Sequence, residues 1–225
     1  MTLYKEQRLE LAKTALSLKT SRLVVNTSGN VSIRVGEHVI VTPSATAYDD
    51  LTAEDICVLG LDGSWVDGER RPSSETPLHL AVYAANPNVN AIVHTHSVHA
   101  TAVSTLIDRL PAIHYQMVNL GGEIPVAPYA TFGSADLADS VLSVLPGKKA
   151  ALMQNHGSIT IGATLPQALS HTILLEWCCE VWLKAVSSGK TSSILSESQL
   201  KQTRDQMRRI SDEISKSRAD REKLL

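Results

Sequence analysis

Residues 90–96 read Asn-Ala-Ile-Val-His-Thr-His, and this stretch decides the fold. Its apolar and β-branched residues give it strand character. A strand repeats every two residues, so His94 and His96 emerge on one face of a sheet and Thr95 on the other. Upstream, Ser73-Ser74-Glu75-Thr76-Pro77 joins polar capping residues to an early proline, which marks a helix start and places Glu75 in or beside its first turn. Downstream, residues 149–162 (KAALMQNHGSITIG) supply strand material interrupted at His156-Gly157, a break of the kind that aims a side chain into a site.

The same reading extends in both directions. Residues 3–18 place Leu9, Ala12 and Leu16 at helical spacing. VSIRV (31–35) and HVIVT (38–42) form two strands joined at Gly36-Glu37, and a further strand pair surrounds Leu61-Asp62-Gly63. A helix begins near Ser97, EIPVAPYA (123–130) adds a strand, and residues 166–187 form a long helix carrying Leu169, Ile173, Leu174, Trp177, Val181 and Trp182. Helices and strands alternate, yet several connections are hairpins, which argues for a largely antiparallel sheet packed by helices. The sequence has no GxGxxG or GxxxxGK[ST] turn of the doubly wound nucleotide folds. From Glu197 the composition turns polar, with Leu200, Met207, Ile210 and Ile214 on a narrow stripe, so residues 197–225 are read as a terminal helix or flexible tail that docks on a neighbour.

A chain of 225 residues that is 43% hydrophobic can bury one sizeable core, and residues 1–225 are taken as a single domain. With 21 Lys+Arg against 23 Asp+Glu, no basic field marks a nucleic-acid binder. No apolar run approaches the roughly 20 residues that cross a bilayer, and the N-terminal residues lack the apolar core of a secretory signal. A cytoplasmic enzyme whose partners are small molecules or its own copies is expected. Cys57, Cys178 and Cys179 have no spacing for a disulfide framework or thiolate zinc site and read as buried apolar residues, so a metal would need nitrogen and oxygen ligands.

His94, His96, His156 and Glu75 together make a plausible zinc shell, since zinc accepts imidazole nitrogen and carboxylate oxygen, and a catalytic site keeps one position for substrate. His99 follows closely, but a helix starting near Ser97 turns it away from the strand face. His38, His79, His114 and His171 read as surface or hydrogen-bonded core histidines. Three polar runs, Thr27-Ser28-Gly29-Asn30, Thr42-Pro43-Ser44 and Ser73-Ser74, could bind an anion with hydroxyls and backbone N–H groups, but the same residues are also the ordinary material of turns.

TSGNVSIR (27–34), VTPSA (41–45), PSSE (72–75), HTHS (94–97), IHYQM (113–117), APYATFGS (127–134) and QNHG (154–157) occur in this order. In that combination they resemble the class II aldolase/adducin family, within it the L-fuculose-1-phosphate aldolases and the related L-ribulose-5-phosphate 4-epimerases. The resemblance covers residues 26–162. It implies a three-layer α/β/α fold and a homotetramer with active sites between subunits. It also implies a zinc, with manganese or cobalt as alternatives, held by His94, His96, His156 and, without substrate, Glu75. The substrate would be a sugar phosphate whose phosphate meets Gly29, Asn30, Ser44, Ser73 and Ser74. Ala45 stands where the fuculose-type enzymes usually have glycine and remains a candidate for the same loop.

The implied reaction cleaves a ketose 1-phosphate to dihydroxyacetone phosphate and an aldehyde through an enediolate. Glu75 would be the base at the enediolate carbon, its pKa raised by apolar surroundings, and Tyr115 would exchange a proton with the aldehyde oxygen across a subunit interface. One departure bears on the substrate: no tyrosine follows Tyr129, and Ile210 lies in the neighbourhood of the family's tail tyrosine. That change suits the deoxy or methylthio end of a pentulose phosphate beside L-fuculose 1-phosphate itself. Epimerisation and decarboxylation of a 3-oxo sugar-acid phosphate would use the same metal site. A non-catalytic adducin-type binding module is the remaining alternative, against which all four ligand positions are intact.

Overall fold

Alternating aliphatic residues build a sheet from short hairpins. In the computed structural model, which describes residues 3–222, β1 (Asn30–Val35) and β2 (His38–Val41) pair antiparallel with Ser32 opposite Val41. Next come β3 (Cys57–Gly60) and β4 (Trp65–Asp67), then β5 (Ala91–Thr95), which pairs antiparallel with both β1 and β9 (Gly157–Gly162). With β6 (Arg109–Leu110), β7 (Ile124–Ala127) and β8 (Ala150–Met153), the order across the sheet is β4-β3-β2-β1-β5-β9-β8-β7-β6. Among the described residues, only β7 and β8 run parallel.

The helices are α1 (Lys5–Thr20), α2 (Thr76–Ala85), α3 (Val98–Ser104), α4 (Ala135–Val144), α5 (Leu165–Val186) and α6 (Glu197–Glu222). They cover both faces of the sheet, as the two-residue period of the strands requires. Val39, Val41, Leu59, Ile92 and Ile159 pack under Leu78 and Val82 of α2 and Leu137 and Val141 of α4. Their neighbours in the strands point the other way. Ile33, Ile40, Val58 and Val93 meet Leu11, Ala15 and Leu18 of α1 with Leu165 and Ala168 of α5, while Leu110, Val126, Ala150 and Leu152 meet Val103 of α3 and Leu175 and Cys178 of α5. The expected three-layer α/β/α arrangement is therefore present, and all three cysteines are buried and free.

Of the apolar residues at helical spacing in α1 and α5, Ala12 and Trp182 are buried, while Leu9, Leu16, Ile173 and Trp177 face outward. Leu9 and Leu16 are 40% and 39% exposed, while the buried stripe of α1 runs through Arg8, Leu11, Ala15 and Leu18. Arg8 belongs in that stripe because its guanidinium is satisfied there, donating to the Ile56 carbonyl at 2.8 Å and pairing with Asp67. On α5, Ile173 and Trp177 face outward, and Thr172, Leu175, Cys178 and Cys179 face the sheet. The tail is helical as α6 through Glu222, residues 223–225 lying outside the described residues, and Leu200 is its buried anchor.

Glycine at 157 is a condition of the fold. A Cβ there would overlap the Thr95 carbonyl oxygen and come within 3.1 Å of the His96 ring, so β9 can approach the end of β5 only without a side chain. Gly157→Ala should lower stability by about 1–3 kcal/mol, the usual cost of overpacking, as read from urea unfolding followed by circular dichroism.

Candidate metal centre

Strand register delivers the first ligand. His94 lies opposite Asn30 across β5 and β1, and its two-residue period places it on the α2 side of the sheet together with Ile92. His96 follows the last residue of β5. His156 comes from the three-residue turn between β8 and β9, in which Asn155 takes a left-handed conformation (φ 56) that asparagine tolerates better than most residues. Glu75 is the residue immediately before α2. The expected polar cap there is modest: the Ser73 hydroxyl accepts from the Glu75 N–H at 3.3 Å, and the Glu75 carboxylate makes no capping bond, being turned to the histidines instead.

One ligand atom from each of Glu75, His94, His96 and His156 lies within 4.8 Å of all the others. Glu75 Oε2 is 2.9 Å from His94 Nε2, Glu75 Oε1 is 3.3 Å from His156 Nε2, and the Nε2 atoms of His94 and His96 are 3.0 Å apart. A tetrahedron with arms of about 2.0–2.1 Å, the usual zinc–nitrogen and zinc–oxygen length, has edges of about 3.3 Å. Three of the six separations are close to that edge, and the donor set has the chemistry of a divalent-cation site. Two further observations agree: His94 Nδ1 donates to the Ser158 carbonyl at 2.8 Å, which turns Nε2 to the cluster, and the buried Glu75 Oε1 has no hydrogen-bond partner among the described residues.

The electrostatics divide the histidines. Burial pushes the pKa values of His96 and His156 down to about 4, and the charge of His94 adds to the shift, so both keep free lone pairs at neutral pH. For His94, burial is outweighed by the adjacent Glu75 carboxylate, and its pKa is raised. Glu75 behaves oppositely to expectation. Burial pushes its pKa up, but His94, His156 and the Asn30 amide outweigh that and hold the carboxyl well below the usual range. Apolar surroundings alone would have raised it; the charged neighbours decide the sign.

Beside the cluster is a cavity of about 370 Å³ whose lining includes Gly29, Asn30, Ser44, Ala45, Ser73 and Ser74 along with Glu75, His96 and His156. The three polar runs are stitched together. Ser44 N–H donates to the Arg71 carbonyl at 2.9 Å, Ser73 N–H donates to the Thr42 carbonyl at 3.1 Å, and the Tyr48 hydroxyl donates to the Gly29 carbonyl at 2.8 Å. Ala45 has φ 51, the left-handed region that favours glycine. Asn30 differs from a free anion donor, because its amide donates to Glu75 Oε2 at 3.0 Å.

Tyr115 is not brought to this cavity. It is 49% exposed and lines an open groove with Leu195, Met207 and Ile210 beside α6. His99 is turned away as expected, its Nδ1–H donating to Glu176 at 2.8 Å. The cavity also includes Tyr129 and Phe132, 64% and 65% exposed, which carried no assigned role in the sequence. Two large aromatic residues in a Gly/Ala/Thr-rich loop were the available signal.

At pH 6, His94 should hold its proton and His96 and His156 should not. Titration of the protein with zinc at that pH, by calorimetry in buffers of different ionisation enthalpy, should show release of about one proton per ion and an affinity that rises about tenfold per pH unit, levelling above the raised His94 value.

Comparison with known proteins agrees with this geometry. The description of the Class II Aldolase and Adducin N-terminal domain matches residues 9–183. The L-fuculose phosphate aldolase of Escherichia coli O6:H1 is 38% identical over 199 residues, 86% of this chain and 92% of the relative. The 5-deoxy-D-ribulose 1-phosphate aldolase of Bacillus thuringiensis serovar kurstaki is 34% identical over 190 residues, 84% of this chain and 89% of the relative. A solved L-fuculose 1-phosphate aldolase superposes with a TM-score of 0.87 at 30% identity, covering 90% of this chain and 96% of that one. By sequence and by fold, this chain belongs to the class II aldolase and adducin family and stands with its aldolases, enzymes of the lyase class.

Proposed function

We propose that this chain is a zinc-dependent aldolase that cleaves a ketose 1-phosphate, L-fuculose 1-phosphate or a deoxy-pentulose counterpart, to dihydroxyacetone phosphate and an aldehyde. The observation that carries this reading is that three of the metal donors, Glu75, His96 and His156, line one cavity with six residues suited to an anion, while the fourth, His94, is buried behind them against Glu75. Zinc held by His94, His96 and His156 would draw off the negative charge that builds on the ketose oxygens as the carbon–carbon bond breaks. Glu75 would move the proton at the carbon left behind, oriented by the Asn30 amide on its Oε2. Gly29, Asn30, Ser44, Ala45, Ser73 and Ser74 would hold the phosphate at the start of α2, where backbone N–H groups and the helix dipole favour an anion.

Tyr115 would serve a neighbouring subunit of a homotetramer, protonating or deprotonating the aldehyde oxygen. Its place in its own chain, beside Met207 and Ile210 rather than in the metal cavity, supports that reading. The apolar Ile210, the exposed Phe132 at the cavity and the similarity to 5-deoxyribulose 1-phosphate aldolases favour an aldehyde fragment with an unhydroxylated end.

Two experiments test this. Zinc-loaded protein given 5-deoxyribulose 1-phosphate or L-fuculose 1-phosphate should release dihydroxyacetone phosphate, detected by coupled reduction. Chelation should abolish the release, zinc should restore it, and Glu75→Gln should lower kcat by about 10²–10⁴-fold; ketose turnover without that product would reassign the reaction. Glu75→Gln and Tyr115→Phe proteins, each impaired alone, should regain part of the wild-type rate when unfolded and refolded together, because mixed assemblies restore some intact sites. No recovery in verified mixed assemblies would place Tyr115 outside the neighbour's site.

A further inference from the structure

Strand β1 and helix α2 are joined by a series of polar contacts that leads away from the metal cluster. Asn30 donates to Glu75 at 3.0 Å, the Ser32 hydroxyl is bonded to His79 Nδ1 at 2.7 Å and to the Tyr83 hydroxyl at 2.7 Å, and Arg34 donates to the Tyr83 carbonyl at 3.1 Å. The strand positions advance by two and the helix positions by four. Two strand residues span about 6.7 Å and four helical residues about 6.0 Å, so the rungs stay matched over this length. Ser32 and His79 are fully buried at 0% exposure, and Tyr83 is 1% exposed.

Around these rungs the contact is apolar, with Leu78 and Val82 packed on Val39 and Ile92. Apolar packing alone tolerates a small slide or rotation of a helix, whereas a hydrogen bond has direction and fixes both. Rotation of α2 by one residue would carry Glu75 about 100° around the helix axis and out of reach of His94. The polar loop ahead of the helix is held separately, through Ser73 to Thr42 and Ser44 to Arg71. Burial keeps His79 neutral, its pKa pushed down to about 3, so the rung adds no cation beside the metal ligands.

We infer that Ser32 and His79 are positioning residues, which lock α2 on β1 so that the Glu75 carboxylate is held at the metal and at the reacting carbon. This rests on the proposed aldolase reaction for its kinetic consequence, but its structural consequence is independent of substrate. Because Ser73 and Ser44 of the phosphate loops are tied to Thr42 and Arg71 independently of the Ser32–His79 rung, the effect should fall more on kcat than on KM.

The test uses full-length Ser32→Ala, His79→Leu and His79→Asn proteins loaded with cobalt. Thr172→Val serves as the stability control, because it breaks the Thr160–Thr172 bond on the opposite face of the sheet. Ser32→Ala and His79→Leu should lower kcat for the ketose 1-phosphate by about 10–100-fold, with KM within about twofold. They should also change the visible spectrum of the bound cobalt, as the geometry of Glu75 alters. His79→Asn, which returns a polar group near Nδ1, should recover most of both. Thr172→Val should lower Tm without either effect. Unchanged cobalt spectra, or kcat losses no larger than in the control, overturn the inference. If His79→Leu fails to fold, Ser32→Ala decides. If wild type cleaves no ketose phosphate, the aldolase assignment fails, and the cobalt spectrum of Ser32→Ala still decides whether the rungs hold Glu75.

Discussion

Glu75 and His94 face each other at 2.9 Å with side-chain exposures of 7% and 0%. Burying either charge alone would cost several kcal/mol, and removing one member of such a pair leaves the other uncompensated. The surrounding structure is arranged around that constraint. Asn30 satisfies one carboxylate oxygen, the Ser158 carbonyl takes the outer nitrogen of His94, and His156 approaches the second carboxylate oxygen. Each partner comes from a different element, so β1, β9, the β8–β9 turn and α2 must all be in register before the pair is tolerable. A divalent cation fits the same arrangement, because it replaces the shared proton with a charge that all four donors can use.

The antiparallel sheet makes this convergence possible with little chain. β5 is flanked on both sides by antiparallel partners, which brings Asn30 and Ser158 alongside His94 and Thr95. The missing side chain at Gly157 lets the turn bearing His156 close on His96. The same turn thus serves packing and places His156, and the histidine cluster sits at the adjoining ends of β5 and β9.

What could be read from the sequence was what depends on local periodicity. His94 and His96 share a face because strands repeat every two residues, and His156 stands before a glycine that interrupts a strand. The hairpins announced themselves through short turns between aliphatic runs. The inward face of α1 could not be read from the spacing of Leu9, Ala12 and Leu16, because Arg8 counts as polar in any pattern, while only the fold supplies the Ile56 carbonyl and Asp67 that make it a buried residue. The pKa of Glu75 depends on His94 and His156, brought close by folding, so its direction could not follow from apolar neighbours in sequence. The contacts between Ser32 and His79 were hidden for a related reason: they join positions 47 residues apart, and their pairing depends on how a helix lies over a strand.

The two outermost strands have one more effect. β4 is three residues long and shifts register against β3, and β6 has two residues. Neither border offers an extended row of free backbone groups onto which another β-strand could add, so the nine-stranded sheet is a poor template for its own growth. Self-association of this chain would therefore proceed through helical surfaces, such as the outward Ile173 and Trp177 of α5, and so through side-chain complementarity rather than backbone pairing.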